Sequence, residues 1–297
     1  NTIPRFDRAI IDKIPLSHAQ ERLWFIDQLN GSREYHISLS EEFAKDLNIY
    51  FLEESLHRTI ERHEVLRTVI KEEDGIPYQM VMNSTDWNFE IIKCENTKDI
   101  YQISKTFIER AFDLENDYLI RACLLEFDDS YKLIIVVHHI AADGWSLNIL
   151  RRELLQFYEE QFNNKSTSLP DLPIQYTDYA VWQRSNSSKD WLNRRLNFWE
   201  KYLKGIEPLE LPTSFSRTSK RSNKGGAIIY YTDNNLTSSL KSILSQEDVT
   251  MFMLLTACVN ILLYKYCHQS DICIGSPVAN REHKNLENLI GFFVNLE

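Results

Sequence analysis

Val137-His138-His139-Ile140-Ala141-Ala142-Asp143-Gly144-Trp145-Ser146 is the stretch on which the reading of this chain turns. It closes an apolar, β-rich run and opens the next helix. Adjacent residues at a strand end point to opposite faces, so only one of the two histidines can face a given cleft. That geometry argues against joint chelation of one metal ion, and no metal site is expected. Imidazole titrates near neutral pH, so a placed histidine can accept or donate a proton during acyl transfer. Asp143 and Gly144 stand where the chain must turn. Gly144 suits a close approach of backbone, and the turn could offer N–H groups to an anionic oxygen. The residues alone leave a second reading open, in which both histidines are satisfied structural groups beside a core strand.

Outward from this stretch the chain alternates strands and helices, which predicts a mixed α/β class with mixed sheets. Residues 119–127 and 131–137 form a hairpin turning at Asp128, Asp129 and Ser130. The helix after the motif starts near Ser146 as its cap, with Trp145 stapled on Leu150. Upstream, Ser17 and Gln20 fit a capping box ahead of Leu23, Phe25, Ile26 and Leu29. A second helix covers residues 49–63, strands cover 77–81 and 87–94, and a third helix covers 101–112. Downstream, the polar segment 163–173 contains two prolines and marks a boundary. Leu192, Leu196, Trp199 and Leu203 then make a helical stripe ending at Gly205. The Ser-, Lys-, Arg- and Gly-rich linker 213–226 leads to a strand at 227–232, helices near 236–244 and 250–266, and a buried strand at 271–276. Trp24, Trp182 and Trp199 are expected in the core.

The 297 residues are enough for about two domains or subdomains, with 43% apolar and 26% charged residues, as in ordinary globular proteins. A formal charge of −10, from 33 basic and 43 acidic residues, excludes the basic face of a general nucleic-acid binder. The most apolar segments, 133–142 and 251–263, read as core elements rather than membrane spans. The N-terminus lacks a signal-peptide pattern. Five scattered cysteines without a CxxC pair point to reduced thiols and a cytoplasmic location. No GxSxG elbow, HExxH motif, P-loop or dinucleotide fingerprint is present.

His138 to Gly144 matches the HHxxxDG signature of condensation domains of nonribosomal peptide synthetases, extended by Trp145-Ser146. Four other stretches resemble motifs of that family, in family order. They are Ser17-His18-Ala19-Gln20-Glu21-Arg22-Leu23-Trp24, Arg62-His63-Glu64-Val65-Leu66-Arg67-Thr68, Tyr176-Thr177-Asp178-Tyr179-Ala180-Val181-Trp182 and Ile290-Gly291-Phe292-Phe293-Val294-Asn295. The fifth motif departs from the family pattern at Leu296. Family members also continue past Glu297, so the chain reads as truncated after this motif.

The resemblance implies two chloramphenicol-acetyltransferase-like subdomains with a tunnel between them. These would be residues 1–170, carrying the histidine motif, and an incomplete second one at 171–297. In an incomplete second subdomain the apolar segments 251–263 and 272–274 would face missing partners. The implied activity joins a donor aminoacyl or peptidyl thioester to an acceptor aminoacyl thioester. Each would ride on the phosphopantetheine arm of an upstream or downstream carrier protein, with an adenylation domain adjacent and no cofactor bound by the chain itself. His139 is the implied catalytic residue, as a base or by holding the amine, with His138 more structural. Asp143 is expected to pair with Arg281 across the cleft, and Gly144 to offer backbone and space. Arg62 and Arg67 are implied supports, and Asn295 a polar group of the cleft. The motif set is similar to the subclass that joins an L-donor to an L-acceptor. Two rival readings are a coenzyme-A-dependent acyltransferase of the same superfamily and a non-catalytic relative that recruits a partner enzyme.

Overall fold

In the computed structural model, which describes residues 2–95, 97–127, 130–164, 169–186, 189–214, 226 and 228–296, the histidine stretch lies at the end of a buried strand. Two compact units are formed, Asn1–Leu192 with Ser276–Glu297, and Asn193–Gly275.

The first unit begins with β1 (Ile14–Pro15) and α1 (His18–Asn30). The capping box forms as the sequence predicts. Gln20 N–H donates to Ser17 Oγ at 3.1 Å, and Ser17 N–H donates to Gln20 Oε1 at 3.0 Å. Of the apolar residues on α1, Leu23 is buried, whereas Phe25 and Leu29 are exposed. Strand β2 (His36–Ala44) and helix α2 (Ile49–Arg62) follow. Asn48 caps α2, and Leu52, Leu56 and Ile60 form its buried stripe. Next come β3 (Thr68–Glu73) and β4 (Ile76–Val81), joined at Asp74 and Gly75. Both turn residues have positive φ, +52° and +78°, which twists a two-residue turn to match its strands and favours glycine at the second position.

The main sheet is completed by β5 (Phe89–Lys93), β6 (Ile120–Phe127) and β7 (Ser130–His138), with α3 (Thr97–Glu109) between β5 and β6. Its order is β2-β7-β6-β5. The β5–β6 pair is parallel and the other two pairs are antiparallel. Ile120 to Leu125, Arg121 included, and Leu133 to Val137 are buried without interruption, as a strand covered on both faces requires. The smaller sheet has the order β1-β4-β3. The predicted β6–β7 hairpin forms, and its turn residues Asp128 and Asp129 lie outside the described residues.

Helix α4 (Gly144–Phe162) packs on α2 through Ile149, Leu150, Leu154 and Phe157. Its cap is Asp143 rather than Ser146. The Asp143 carboxylate accepts from Ser146 N–H at 2.9 Å, which sets the cap three residues earlier. Trp145 makes no buried staple. It is half-exposed, and its Nε1–H donates to the Glu287 carbonyl at 3.0 Å. Helix α5 (Tyr176–Asn186) packs on β1 and α1, so the division expected at residue 170 falls inside this unit. Trp24 and Trp182 pack partly buried against the core. The C-terminal segment adds β8 (Pro277–Val278) and β9 (Asn295–Leu296), paired antiparallel.

The second unit holds most of α6 (Lys189–Tyr202), together with α7 (Asn234–Glu247) and α8 (Met251–Cys267). Asp233 and Thr250 cap the last two, and Asp248 and His268 end them in the left-handed conformation. The strand expected at 227–232 is absent from the described residues 228–232, where Ile228 and Tyr231 are exposed. The strand expected at 271–276 is likewise irregular and not buried. An isolated strand leaves its N–H and C=O groups unpaired, and no described partner strand lies in this unit to take them. Trp199 and much of the apolar surface of α8, including Phe252 and Leu255, are exposed. No single helix among the described residues is long and apolar enough to cross a membrane; α7 and α8 would be so only as a pair, and they are bent by 105°.

One buried hydroxyl pair ties the termini of the first unit together. Ser17 Oγ and Tyr176 Oη lie 2.8 Å apart, and Tyr176 O–H donates to the Phe292 carbonyl at 2.7 Å. The carbonyl can only accept, so Ser17 supplies the proton of the first bond. Burial pushes the Tyr176 phenol well above its ordinary titration range. Tyr176→Phe leaves a buried carbonyl and a buried serine short of a partner. It is expected to cost about 1–3 kcal/mol of stability in chemical denaturation, with the secondary structure unchanged by circular dichroism.

Candidate active site

The site is assembled where β7 meets α4 and where the 281–293 segment folds back on that junction. The two histidines divide as strand alternation predicts. His138 is fully buried, and its Nδ1 accepts from Ile140 N–H at 3.1 Å. That bond assigns the remaining proton to Nε2, which donates to Ser32 Oγ at 2.8 Å. The Ser32 hydroxyl passes its own proton to the Asp27 carboxylate. Burial, with smaller contributions from His36, His139 and Arg121, lowers the His138 pKa to about 3. His138 is therefore neutral at pH 7, and both its nitrogens are occupied.

His139 is different. Its main-chain N–H donates to the Tyr35 carbonyl at 2.7 Å, which fixes the backbone. Its ring is half-buried, and Nδ1 is enclosed with no hydrogen-bond partner among the described residues. The ring meets Phe292 edge-on, with centroids 4.9 Å apart and planes at 64°. Of the two histidines, His139 is the one whose imidazole is not consumed by the fold.

Asp143 and Arg281 form the salt bridge that the sequence led us to expect. Arg281 Nη2 lies 3.0 Å from Asp143 Oδ1, and each side chain is only 3% exposed. Asp143 has further duties. Its Oδ1 accepts from Ser146 N–H, and its Oδ2 accepts from Phe293 N–H at 3.1 Å. Arg281 also donates to Ser146 Oγ at 2.9 Å and to the carbonyls of Leu286 and Leu289, while its guanidinium stacks 4.3 Å from the Phe293 ring centroid. Burial lowers the Arg281 pKa, and Asp143 opposes the shift. Both carboxylate oxygens of Asp143 are thus taken up by bonds within the chain.

Among the described residues nothing packs closely on Gly144. It is exposed, and a Cβ there would meet nothing within 4 Å. It leaves open space at the helix start. The glycine that sterics demand is Gly291, which sequence reasoning passed over. A Cβ on Gly291 would overlap the Tyr176 and Phe293 rings. Ser146 Oγ holds Gly291 from both sides, accepting from its N–H at 3.1 Å and lying 2.9 Å from its carbonyl oxygen.

Arg62 and Arg67 lie in supporting networks. Arg62 Nε bonds Glu153 at 3.0 Å and its Nη2 bonds the Pro170 carbonyl at 2.7 Å. The same Glu153 accepts from His63 Nε2 at 2.8 Å, and His63 Nδ1 accepts from Ile290 N–H at 3.4 Å. Burial lowers the His63 pKa, in keeping with a neutral ring. Burial pushes the Glu153 carboxyl up, but the His63 hydrogen bond and the Arg62 charge outweigh it and hold the group below its ordinary range. Arg67 donates to the Met82 carbonyl at the end of β4. Asn295 sits exposed on β9, opposite Val278.

A mixed sheet with a histidine pair at its strand-to-helix junction, braced by a buried Asp–Arg bridge, defines a domain of the chloramphenicol-acetyltransferase-like, HHxxxDG class. The condensation-domain family model matches residues 10–296, and the chain belongs to the condensation domains of nonribosomal peptide synthetases. It is 38% identical over 284 residues to the cyclosporin synthetase of Tolypocladium inflatum, covering 95% of this chain and 2% of that protein. The malpinin synthetase of Mortierella alpina is 36% identical over 289 residues, covering 95% of this chain and 4% of that protein. The X-domain of teicoplanin biosynthesis, solved in complex with OxyB, shares the fold with a TM-score of 0.86 at 24% identity. That match covers 100% of this chain and 66% of the solved one. The chain thus spans a small part of these curated relatives and about two thirds of the solved chain.

Two outcomes follow from the buried groups. Asp143→Asn keeps a cap oxygen but removes the charge opposite Arg281. It is expected to destabilise the protein by about 3–5 kcal/mol in chemical denaturation, the cost of a buried charge left unpaired. The second concerns acid. An unfolded histidine takes up its proton near pH 6.5, and folded His138 does so only near pH 3. The unfolded state binds more protons between these values. The stability is present above pH 6.5 and is lost as pH falls towards 3, by roughly 2 kcal/mol between pH 7 and 5 for this one group. His63 and His36 shift in the same direction. Denaturant midpoints measured from pH 7 to 5 should fall, and His138→Gln should flatten that slope by about one proton.

Proposed function

We propose that the domain containing this chain forms a peptide bond between two carrier-bound thioesters, with His139 as its proton acceptor. The observation that carries this reading is the division of labour within the histidine pair. His138 is buried, neutral and bonded at both nitrogens, whereas His139 is half-buried with a ring free of hydrogen-bond partners among the described residues. A histidine held by its backbone with its imidazole uncommitted suits proton transfer at neutral pH.

In this scheme the acceptor's amine nitrogen attacks the donor carbonyl carbon. The new C–N bond forms, the C–S bond breaks, and the amine proton passes through His139 to the departing sulfur. Gly144 leaves room beside the reacting thioester. Asp143 and Arg281 hold the junction rather than exchange protons, and Arg62 and Arg67 brace the elements behind it. The donor and acceptor arrive on the phosphopantetheine arms of upstream and downstream carrier proteins, and an adenylation domain supplies the activated acceptor. The chain itself holds no cofactor in this scheme, and the reaction runs in the cytoplasm, where its thiols stay reduced.

The test uses the full-length protein with both carriers loaded. His139→Ala is expected to cut dipeptide formation by at least about 10²-fold while the denaturation midpoint holds. Full dipeptide formation by a folded His139→Ala protein would overturn the assignment. Transfer from a coenzyme A donor as fast as from a carrier-bound one would favour a free-thioester acyltransferase. Carrier capture without any turnover by the unaltered protein would favour a recruiting role.

A further inference from the structure

We infer that Phe292 is the positioning residue of His139, setting the rotation of its imidazole for the proposed reaction; this rests on the reading of His139 given above. A histidine that moves protons is commonly oriented by a hydrogen bond to its second nitrogen. His139 has none: Nδ1 is enclosed without a hydrogen-bond partner among the described residues. The backbone bond to Tyr35 fixes where the ring is attached, not how it is turned. The Cβ–ring torsion of histidine is broad and roughly two-fold, so an unbonded imidazole can present either edge to the cleft. The one aromatic contact to this ring among the described residues is Phe292, edge-on at 4.9 Å and itself only 4% exposed. Packing replaces the missing hydrogen bond.

Such an orienting surface works only if it is rigid, and the segment around Phe292 is held on every side. Tyr176 O–H donates to the Phe292 carbonyl at 2.7 Å. Phe293 N–H donates to Asp143 Oδ2 at 3.1 Å. Gly291 N–H donates to Ser146 Oγ, and His63 accepts from Ile290 N–H. Four consecutive residues are thereby anchored to the residue that ends α2, to α4, to α5 and to the junction before α4. The Asp143–Arg281 bridge thus reaches His139 through the segment that carries Phe292.

The test compares Phe292→Leu and Phe292→Tyr in the full-length protein. The readouts are the rate of histidine carbethoxylation by diethyl pyrocarbonate, resolved by peptide mass spectrometry, and dipeptide formation with both carriers loaded. Loss of the ring should let the imidazole turn and expose its enclosed nitrogen. Labelling of His139 is expected to rise severalfold, while buried His63 and His138 stay unlabelled and report an intact core. The kcat should fall by roughly threefold to tenfold with KM unchanged, the loss that an aromatic edge contact of this kind carries. Phe292→Tyr keeps the ring and should restore both values. If labelling of His138 shows that Phe292→Leu opens the core, Phe292→Met, which keeps the volume without the ring, is read in its place.

Unchanged His139 labelling in a folded ring-less variant overturns the inference, as does a raised labelling with unchanged kcat. The outcome is separable from the fate of the catalytic reading. Undiminished turnover by His139→Ala would defeat that reading, while the labelling of His139 in the Phe292 variants would still report whether Phe292 holds the ring.

Discussion

Asp143 and Arg281 meet in the interior at 3.0 Å, and the rest of the site is arranged around that contact. One carboxylate caps α4, pairs with the guanidinium and receives the Phe293 N–H. One guanidinium binds the carboxylate, Ser146 and two carbonyls of its own segment. Burying two charges is expensive, and an ion pair in the interior returns little net stability over apolar packing. What the pair does provide is a set of directional bonds between distant segments. The shared bonds tie the 281–293 segment to the strand-to-helix junction at several points.

That constraint explains why so many polar groups near the histidines are structural. His138, Ser32, Ser146, Ser17 and Tyr176 are buried and bonded to one another or to backbone. Their bonds are directional and hold the loop in register, where apolar packing alone would tolerate small slides. The second buried cluster, His63 with Glu153 and Arg62, plays the same part behind α4. Among the described residues of this region, His139 stands apart because its ring makes no such bond. Rigid surroundings with one uncommitted side chain are what proton transfer in a fixed geometry requires.

The two units differ in how far their apolar surface is satisfied. In the first, β6 and β7 are covered on both faces, and the continuous Leu133–Val137 run of β7 is legible as a core strand. In the second, α8 is equally apolar in sequence yet leaves Phe252, Leu255 and Leu262 exposed. Exposed apolar area of that extent marks a surface suited to covering by another element. Hydropathy reports what a segment prefers to touch and says nothing of whether that surface is present.

Local rules made much of this protein readable. The capping box at Ser17 and Gln20, the β6–β7 hairpin and the stripe on α2 follow from patterns within a dozen residues. Strand alternation predicts that His138 and His139 point apart, and only the folded chain shows which of the two rings is left unbonded. The Asp143–Arg281 pairing was legible through the motif pattern, since 138 residues separate the partners and no local rule joins them. Other features were decided by tertiary structure. Strand β2 alternates Ile37, Leu39 and Phe43 with serines and glutamates, a pattern the intervening charges disguise; pairing with β7 makes it a strand. The cap of α4 moved from Ser146 to Asp143 because the Ser146 hydroxyl is drawn to Gly291 and Arg281. Gly291 carries no turn signal, and its necessity comes from the ring of Tyr176 lying against it, a residue far away in the chain. Phe292 likewise reads as an ordinary core aromatic, and only the folded chain brings its ring to the edge of His139. Side-chain chemistry and short-range periodicity are properties of the sequence; which uncommitted group a distant ring will steady depends on long-range packing that no local pattern encodes.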